Sequence, residues 1–362
     1  MRLSKVLLLS LIVLTIGTAV WAEIPIVANN TAKIGGYTRL RYLILPKESD
    51  TFRFDELSLT IKNDFNERVF GLVGALIYGG NTFYLEHAFL GIKGLPLNGM
   101  LYIGQTRNYA FGLTPTGGNR KTTNYGIVSD VFTHDRILGV QYLGKVDKID
   151  LSAAVYNGYA IANRAAGEGV SRVNFLADRD STLGTFQGRD ASDNKEVAAR
   201  VGVSNLSGFS AGLSGSVGRL SAADLTFMKT NVKADYDNRT KNRFGLDAKY
   251  NVGALLLQGE FYQGKTSELS HNAWQALVFY KIPCQQDKTV DVYGRYGMVT
   301  PDITATASSY TWELRQTVAG VIYYFTKSIW LQTELEFNDE SPLAGIEKID
   351  NDVYFTELFV GF

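Results

Sequence analysis

Residues 351–362, NDVYFTELFVGF, alternate with a period of two: Tyr354, Thr356, Leu358 and Val360 fall on one face, and Phe355, Glu357, Phe359 and Gly361 on the other. That spacing belongs to a β-strand, and about nine to eleven such residues cross the hydrocarbon of a bilayer when tilted. The same alternation recurs along the chain with a division of character. Leu40, Tyr42 and Ile44 alternate with Arg39, Arg41 and Leu43; Val197, Ala199, Val201 and Val203 alternate with Glu196, Ala198, Arg200 and Gly202. In 243–250, Phe244, Leu246, Ala248 and Tyr250 alternate with Arg243, Gly245, Asp247 and Lys249. An ionised side chain against hydrocarbon costs about 2–4 kcal/mol near the midplane. Strands of this kind in a bilayer must therefore turn their charged face to an aqueous interior. The alternative architecture is a secreted sandwich with a solvated outer face.

The first 22 residues read as a secretory signal. Arg2 and Lys5 lead an apolar run from Val6 to Val20, and Val20-Trp21-Ala22 offers a small-residue cleavage site before Glu23. No later stretch has eighteen consecutive apolar residues, so a helical anchor is not expected. Residues 23–32 then form a short periplasmic segment, and 33–362 the barrel. Cleavage removes two bases and no acid, which leaves a nearly neutral chain and argues against nucleic-acid binding. Aromatic residues make up 12% and proline only 7 of 362, a balance that suits many membrane-facing strands. A single cysteine, Cys284, excludes an internal disulfide.

Strand-like segments are expected at 33–44, 52–63, 68–78, 82–93, 98–106, 136–144, 148–157, 195–206, 209–219, 242–251, 254–263, 272–282, 289–298, 311–325, 328–337 and 351–362. The fold class is all-β, a transmembrane antiparallel β-barrel of about 16 strands, with 14 or 18 left open. Minimal turns (63–67, 146–147, 206–208, 326–327) alternate with long breaks (107–135, 158–194, 220–241, 299–310, 338–350), a sorting that a soluble sandwich has no reason to show.

Family likeness enters through several stretches. The final strand with its closing aromatic residue resembles that of bacterial outer-membrane barrels, in which the residue matching Phe362 is read by the barrel-assembly machinery. HAFLGIKGLPLNGMLYIGQTRNYAFGL, beginning at His87, resembles a segment of the phosphate-selective porins O and P. DVYGRYGMV at 291–299 and AGVIYYFTKSIWLQTELEF at 319–337 are similar to two further stretches of that family. The resemblance implies a water-filled, 16-stranded barrel in the bacterial outer membrane, surrounded by lipid, usually trimeric, and passing small hydrophilic or anionic solutes by diffusion. The chain departs from the family pattern in FRFDELSLTIK at 52–62, where Asp55 and Glu56 stand in place of an arginine-rich strand, and at Ala110, where proline is expected. A complete cation ladder for phosphate is therefore not carried over.

The break after the fifth expected strand, 107–135, holds the place of the loop that folds inward in such barrels. Arg120 and Lys121, with Arg107 at its root, are candidate constriction residues, because fixed cations in a confined lumen lower the barrier for anions. Their alternative is a solvated outer loop. Candidate lumen-lining charges are Arg39, Arg41, Glu196, Arg200, Arg243, Asp247, Lys249, Glu260, Asp291, Arg295, Glu334 and Glu336. Their signs are mixed, and for Arg39 and Arg41 the alternative is pairing with wall acids such as Glu56. The rival functions are an outer-membrane enzyme of the phospholipase kind and a surface scaffold. The three histidines, His87, His134 and His271, have no nucleophile setting in sequence and read as surface or interfacial groups. No catalytic residue, metal site or cofactor is expected.

Overall fold

The computed structural model describes residues 22–27, 30–44, 50–79, 82–114, 122, 125–133, 136–157, 195–220, 222, 225–226, 237–284, 288–302, 313–341 and 352–362. Seventeen strands run through them. The first half contains β1 (Ala22–Val27), β2 (Asn30–Ile44), β3 (Thr51–Asp64), β4 (Val69–Tyr78), β5 (Thr82–Leu95), β6 (Gly99–Arg107), β7 (Arg136–Val146), β8 (Ile149–Asn157) and β9 (Lys195–Leu206). The second half contains β10 (Phe209–Arg219), β11 (Thr240–Val252), β12 (Leu255–Thr266), β13 (Leu269–Pro283), β14 (Thr289–Asp302), β15 (Glu313–Tyr324), β16 (Ile329–Ser341) and β17 (Val353–Gly361). A short helix, α1 (Ile127–Phe132), lies between β6 and β7.

Each strand from β2 to β17 pairs antiparallel with its neighbours, and β17 pairs back onto β2, closing a ring of sixteen. Closure leaves no unpaired sheet edge, the one way a sheet can satisfy its backbone inside a bilayer. β1 adds to the ring without widening it. It pairs with Asn30 to Ile34 of β2, while β17 pairs with Tyr37 to Ile44. Because β3 occupies the other edge of β2, β1 and β17 follow one another along a single edge. The backbones of Phe362 and Gly36 exchange two hydrogen bonds at the end of β17. The segment expected to be an extension ahead of the barrel thus contributes a strand, and β2 begins at Asn30.

The wall is inverted relative to a soluble protein. Along β11, Lys241, Arg243 and Asp247 are buried, while Phe244, Leu246 and Tyr250 are exposed. Val73, Val140, Val155, Val197, Leu213, Val278 and Val321 continue the exposed apolar belt around the outside. Water would penalise such a surface and hydrocarbon would not, so the barrel is a membrane-spanning one.

Turn chemistry follows the same logic. At the end where β17 finishes, Asp147 and Ser207 take left-handed φ angles of 52° and 53°, as tight hairpins on twisted strands require. The expected break at 264–271 is instead strand. Register continues through Thr266 opposite Leu269, so only Ser267 and Glu268 form the connection. The residues read as loop there have ladder partners on β11 and β14, which outweigh their polar composition.

Candidate pore lining and inward loop

Between β6 and β7 the chain turns into the barrel and follows the inner wall. The Tyr109 amide donates to Gln141 Oε1 at 2.7 Å, and Ser152 Oγ donates to the Tyr109 carbonyl at 2.8 Å, fixing the loop's start on β7 and β8. The Gly112 amide donates to Ser214 Oγ of β10 at 3.0 Å, and the Leu113 amide donates to the Tyr262 hydroxyl of β12 at 3.1 Å. Gly112 is required there: its φ is 62°, and a Cβ would lie 2.6 Å from both Thr133 and the Tyr262 hydroxyl. Farther on, the Phe132 ring stacks on Tyr262 at 5.3 Å and lies 5.0 Å from His271. Phe111, Ile127, Val128, Val131 and Phe132 form one buried apolar cluster with wall residues that include Ile137, Tyr156, Leu269 and Val299. This cluster is why the loop stays inside. Its apolar side chains have a wall to cover, and its amides find partners on the strands.

Three sets of ion pairs stand on the inner face among the described residues. At the closing seam, Arg41 Nη2 lies 2.8 Å from Asp55 and 3.0 Å from Glu357, while Arg39 sits 3.9 Å from Glu56 and 3.7 Å from Glu357. Arg53 reaches Asp55 at 3.2 Å, so three arginines face three carboxylates across β17, β2 and β3. The Arg41 guanidinium also lies 4.6 Å from the Phe355 ring, a cation–π contact on the inner face of β17. At the root of the loop, Glu86 receives Arg107 and Arg136, each at 2.8 Å, and Arg107 also donates to Tyr125 at 3.2 Å. On the far wall, Arg200 grips Asp247 with two hydrogen bonds of 2.6 and 3.1 Å, and Lys241 meets Glu196 at 2.7 Å.

The remaining candidates occupy the same inner face with other partners. Arg243 donates to the Phe132 carbonyl at 3.2 Å. Glu260 accepts from Tyr262, Gln275 and Gln258. Arg295 contacts Thr122 and Gln316, and Glu334 accepts from Tyr293 and Gln332. Asp291 and Glu336 are buried on β14 and β16, and Lys249 is half-buried on β11. Arg120 and Lys121 lie outside the described residues. Among the described residues, no three His, Cys, Asp or Glu side chains are grouped to hold a metal ion.

Several inner-face residues escape a simple count by twos. Register slips opposite Arg39 and Leu40 leave Asp55 as an extra residue, and both Asp55 and Glu56 are buried on the inner side. A second slip, at Gly74 and Ala75, does the same for Glu86 beside His87. Such bulges displace the alternation by one position, and only the partner strand reveals them. Glu357 needed no such help: it alternates with Phe355 and Phe359 and lies directly opposite Arg41. His271 is not a surface group, and His87 is half-buried. His271 is inside β13, buried beneath Phe132, because β12 and β13 extend past the expected break; His87 is 3.8 Å from Glu86. His134 lies outside the described residues.

No family model matches the chain, and no curated protein matches it. Solved structures do. OmpT of Vibrio cholerae, in a trimer form, is 13% identical with a TM-score of 0.60, over 92% of this chain and 100% of that one. The outer membrane channel DcaP of Acinetobacter baumannii is 13% identical with a TM-score of 0.62, over 92% and 97%. OmpF of Salmonella typhi, in complex with daunomycin, is 12% identical with a TM-score of 0.64, over 94% and 100%. The fold is a porin fold. These likenesses do not single out the phosphate-selective porins, and at such identities it is the porin fold alone that is shared.

Proposed function

We propose that the protein is a channel of the bacterial outer membrane through which small hydrophilic solutes diffuse down their gradients. The observation that carries this reading is the closed ring with its apolar belt outside, its ionised groups inside, and a loop folded against the inner wall. A binding scaffold has no need to bury arginines and carboxylates in a barrel interior, where each costs desolvation. No bond is made or broken in this function. The rate depends on bore and wall charge. Purified protein added to a planar lipid bilayer should give discrete conductance steps; a silent bilayer would remove the channel reading.

The finer reading is a preference for small anions, phosphate among them, set by Arg120 and Lys121 in the inward loop. Support comes from the charge balance of the paired groups: the seam holds three bases against three acids, Lys241–Glu196 and Arg200–Asp247 cancel pairwise, and Arg107 and Arg136 on Glu86 leave one base in excess. Such pairs contribute little net field, so the charges of the loop decide the sign. In a salt gradient, the double replacement of Arg120 and Lys121 by glutamate should move the reversal potential toward cations, far enough to change its sign. An unmoved potential would place both residues away from the permeation path. A homotrimer and delivery by the barrel-assembly machinery through Phe362 complete the proposal. Conductance steps grouped in threes and cross-linking in native membranes test the trimer.

A further inference from the structure

The Arg295 side chain stands between the wall and the inward loop. One Nη donates to Thr122 Oγ1 of the loop, and the other donates to Gln316 Oε1 on β15 at 2.9 Å. Its guanidinium also lies against the Gly126 backbone, where a Cβ would fall 2.7 Å from the guanidinium carbon. Past Arg295 the hydrogen bonds continue outward along the wall. Gln316 Nε2 donates to Asn338 Oδ1 on β16 at 3.0 Å, and the Asn338 backbone N–H donates to Asp352 Oδ1, just before β17, at 2.8 Å. Arg295 stands at mid-strand on β14, Gln316, Asn338 and Asp352 lie nearer the end of the barrel opposite Phe362, and Gln316, Arg295 and Asn338 are buried.

We infer that Arg295 is a positioning residue, a clamp that holds the return limb of the inward loop on β14, aligned from behind by a relay through Gln316, Asn338 and Asp352. Charge alone does not require this arrangement. A cation that served only to attract solute anions has no use for two neutral hydrogen-bond partners on opposite sides. A planar guanidinium does: its fork bridges two acceptors at a fixed angle, which an ammonium on a flexible stem cannot reproduce. The relay gives the buried Gln316 and Asn338 a role in the wall. Gln316 and Asn338 each offer a donor and an acceptor, so each passes orientation to the next strand. Steadying the loop also steadies the bore, and in this respect the inference rests on the channel reading.

The test has one readout that needs no conduction and one that does. In a Cys284→Ser background, Ile127→Cys places a thiol on α1 in the buried cluster, and its rate of reaction with a water-soluble maleimide reports how often the loop lifts. Arg295→Lys keeps the charge and loses the fork. It should speed labelling on the order of tenfold and raise the frequency of brief channel closures, with the reversal potential unchanged. Gln316→Leu and Asn338→Leu act on the relay behind Arg295 and should move both readouts in the same direction. Combining Gln316→Leu with Arg295→Lys should add little, because both act on one clamp. Labelling and closures that match the parent in Arg295→Lys and Gln316→Leu overturn the clamp. So does an Arg295→Gln variant whose only effect is a shifted reversal potential, which would make Arg295 a selectivity charge. Faster labelling in a protein that never conducts would retain the clamp and discard the channel.

Discussion

Glu357→Ala should lower the unfolding midpoint of the barrel in detergent by the equivalent of about 3 kcal/mol, the lower end of the cost of stranding one partner of a buried ion pair. Glu357 lies directly opposite Arg41 where the last strand meets the first, and it receives both Arg41 and Arg39. Removing it leaves two buried guanidiniums with Asp55 and Glu56 as their remaining acids. The figure sits at the lower end because those contacts survive. Glu357→Gln should lose less, since an amide still accepts a hydrogen bond from Arg41. Thr356→Ala, one residue away on the outer face and in contact with Thr333, provides the control and should stay within about 0.5 kcal/mol of the parent. Urea titration followed by heat-dependent gel migration measures all three. Equal midpoints for Glu357→Ala and Thr356→Ala would mean that the seam does not depend on its ions.

The second large effect is expected from Phe132→Ala. The ring is fully buried, stacked on Tyr262 and lying over His271, and its loss removes the largest side chain of α1. Truncating a buried phenylalanine costs about 3–5 kcal/mol. Here the cost falls on the docking of the loop and not on the ring of strands, whose ladders do not include Phe132. The barrel should therefore keep its gel migration, while the unitary conductance rises and becomes noisy as the loop leaves the wall. Gly112→Val should act in the same way by a different route, through backbone strain at a positive φ and a clash with Thr133 and Tyr262. Unitary conductance equal to that of the parent in both variants would show that the loop does not narrow the path.

Much of the architecture can be read from alternation alone, because an inverted wall writes its two faces into every strand. Arg243, Gly245, Asp247 and Lys249 announce the inner face of β11 as plainly as Phe244 and Leu246 announce the outer. Strand limits agree to within a few residues wherever a turn residue or a charge ends the pattern. They fail at 264–271, where ladder pairing carries polar residues such as Ser270 and His271 into β13. The inner-face charges divide similarly. Arg39, Arg41, Glu196 and Arg200 obey the period of two, whereas Asp55 and Glu86 owe their positions to bulges that depend on a neighbour's register. Ion partners are least legible of all. Arg41 and Glu357 are 316 positions apart in sequence, and only the closing of the ring makes them neighbours.

The meeting of β17 and β1 along one edge of β2 gives the wall a joint. Phe362 stands opposite Gly36 and Ala22 opposite Ile34, so a single residue of β2 separates the end of one strand from the start of the other. In effect one stave is made of two pieces laid end to end. Splicing residue 362 to residue 23 through a brief peptide and cutting the backbone at the Ser207-Gly208 turn would yield a circular permutant that keeps the ladders from Glu23 onward.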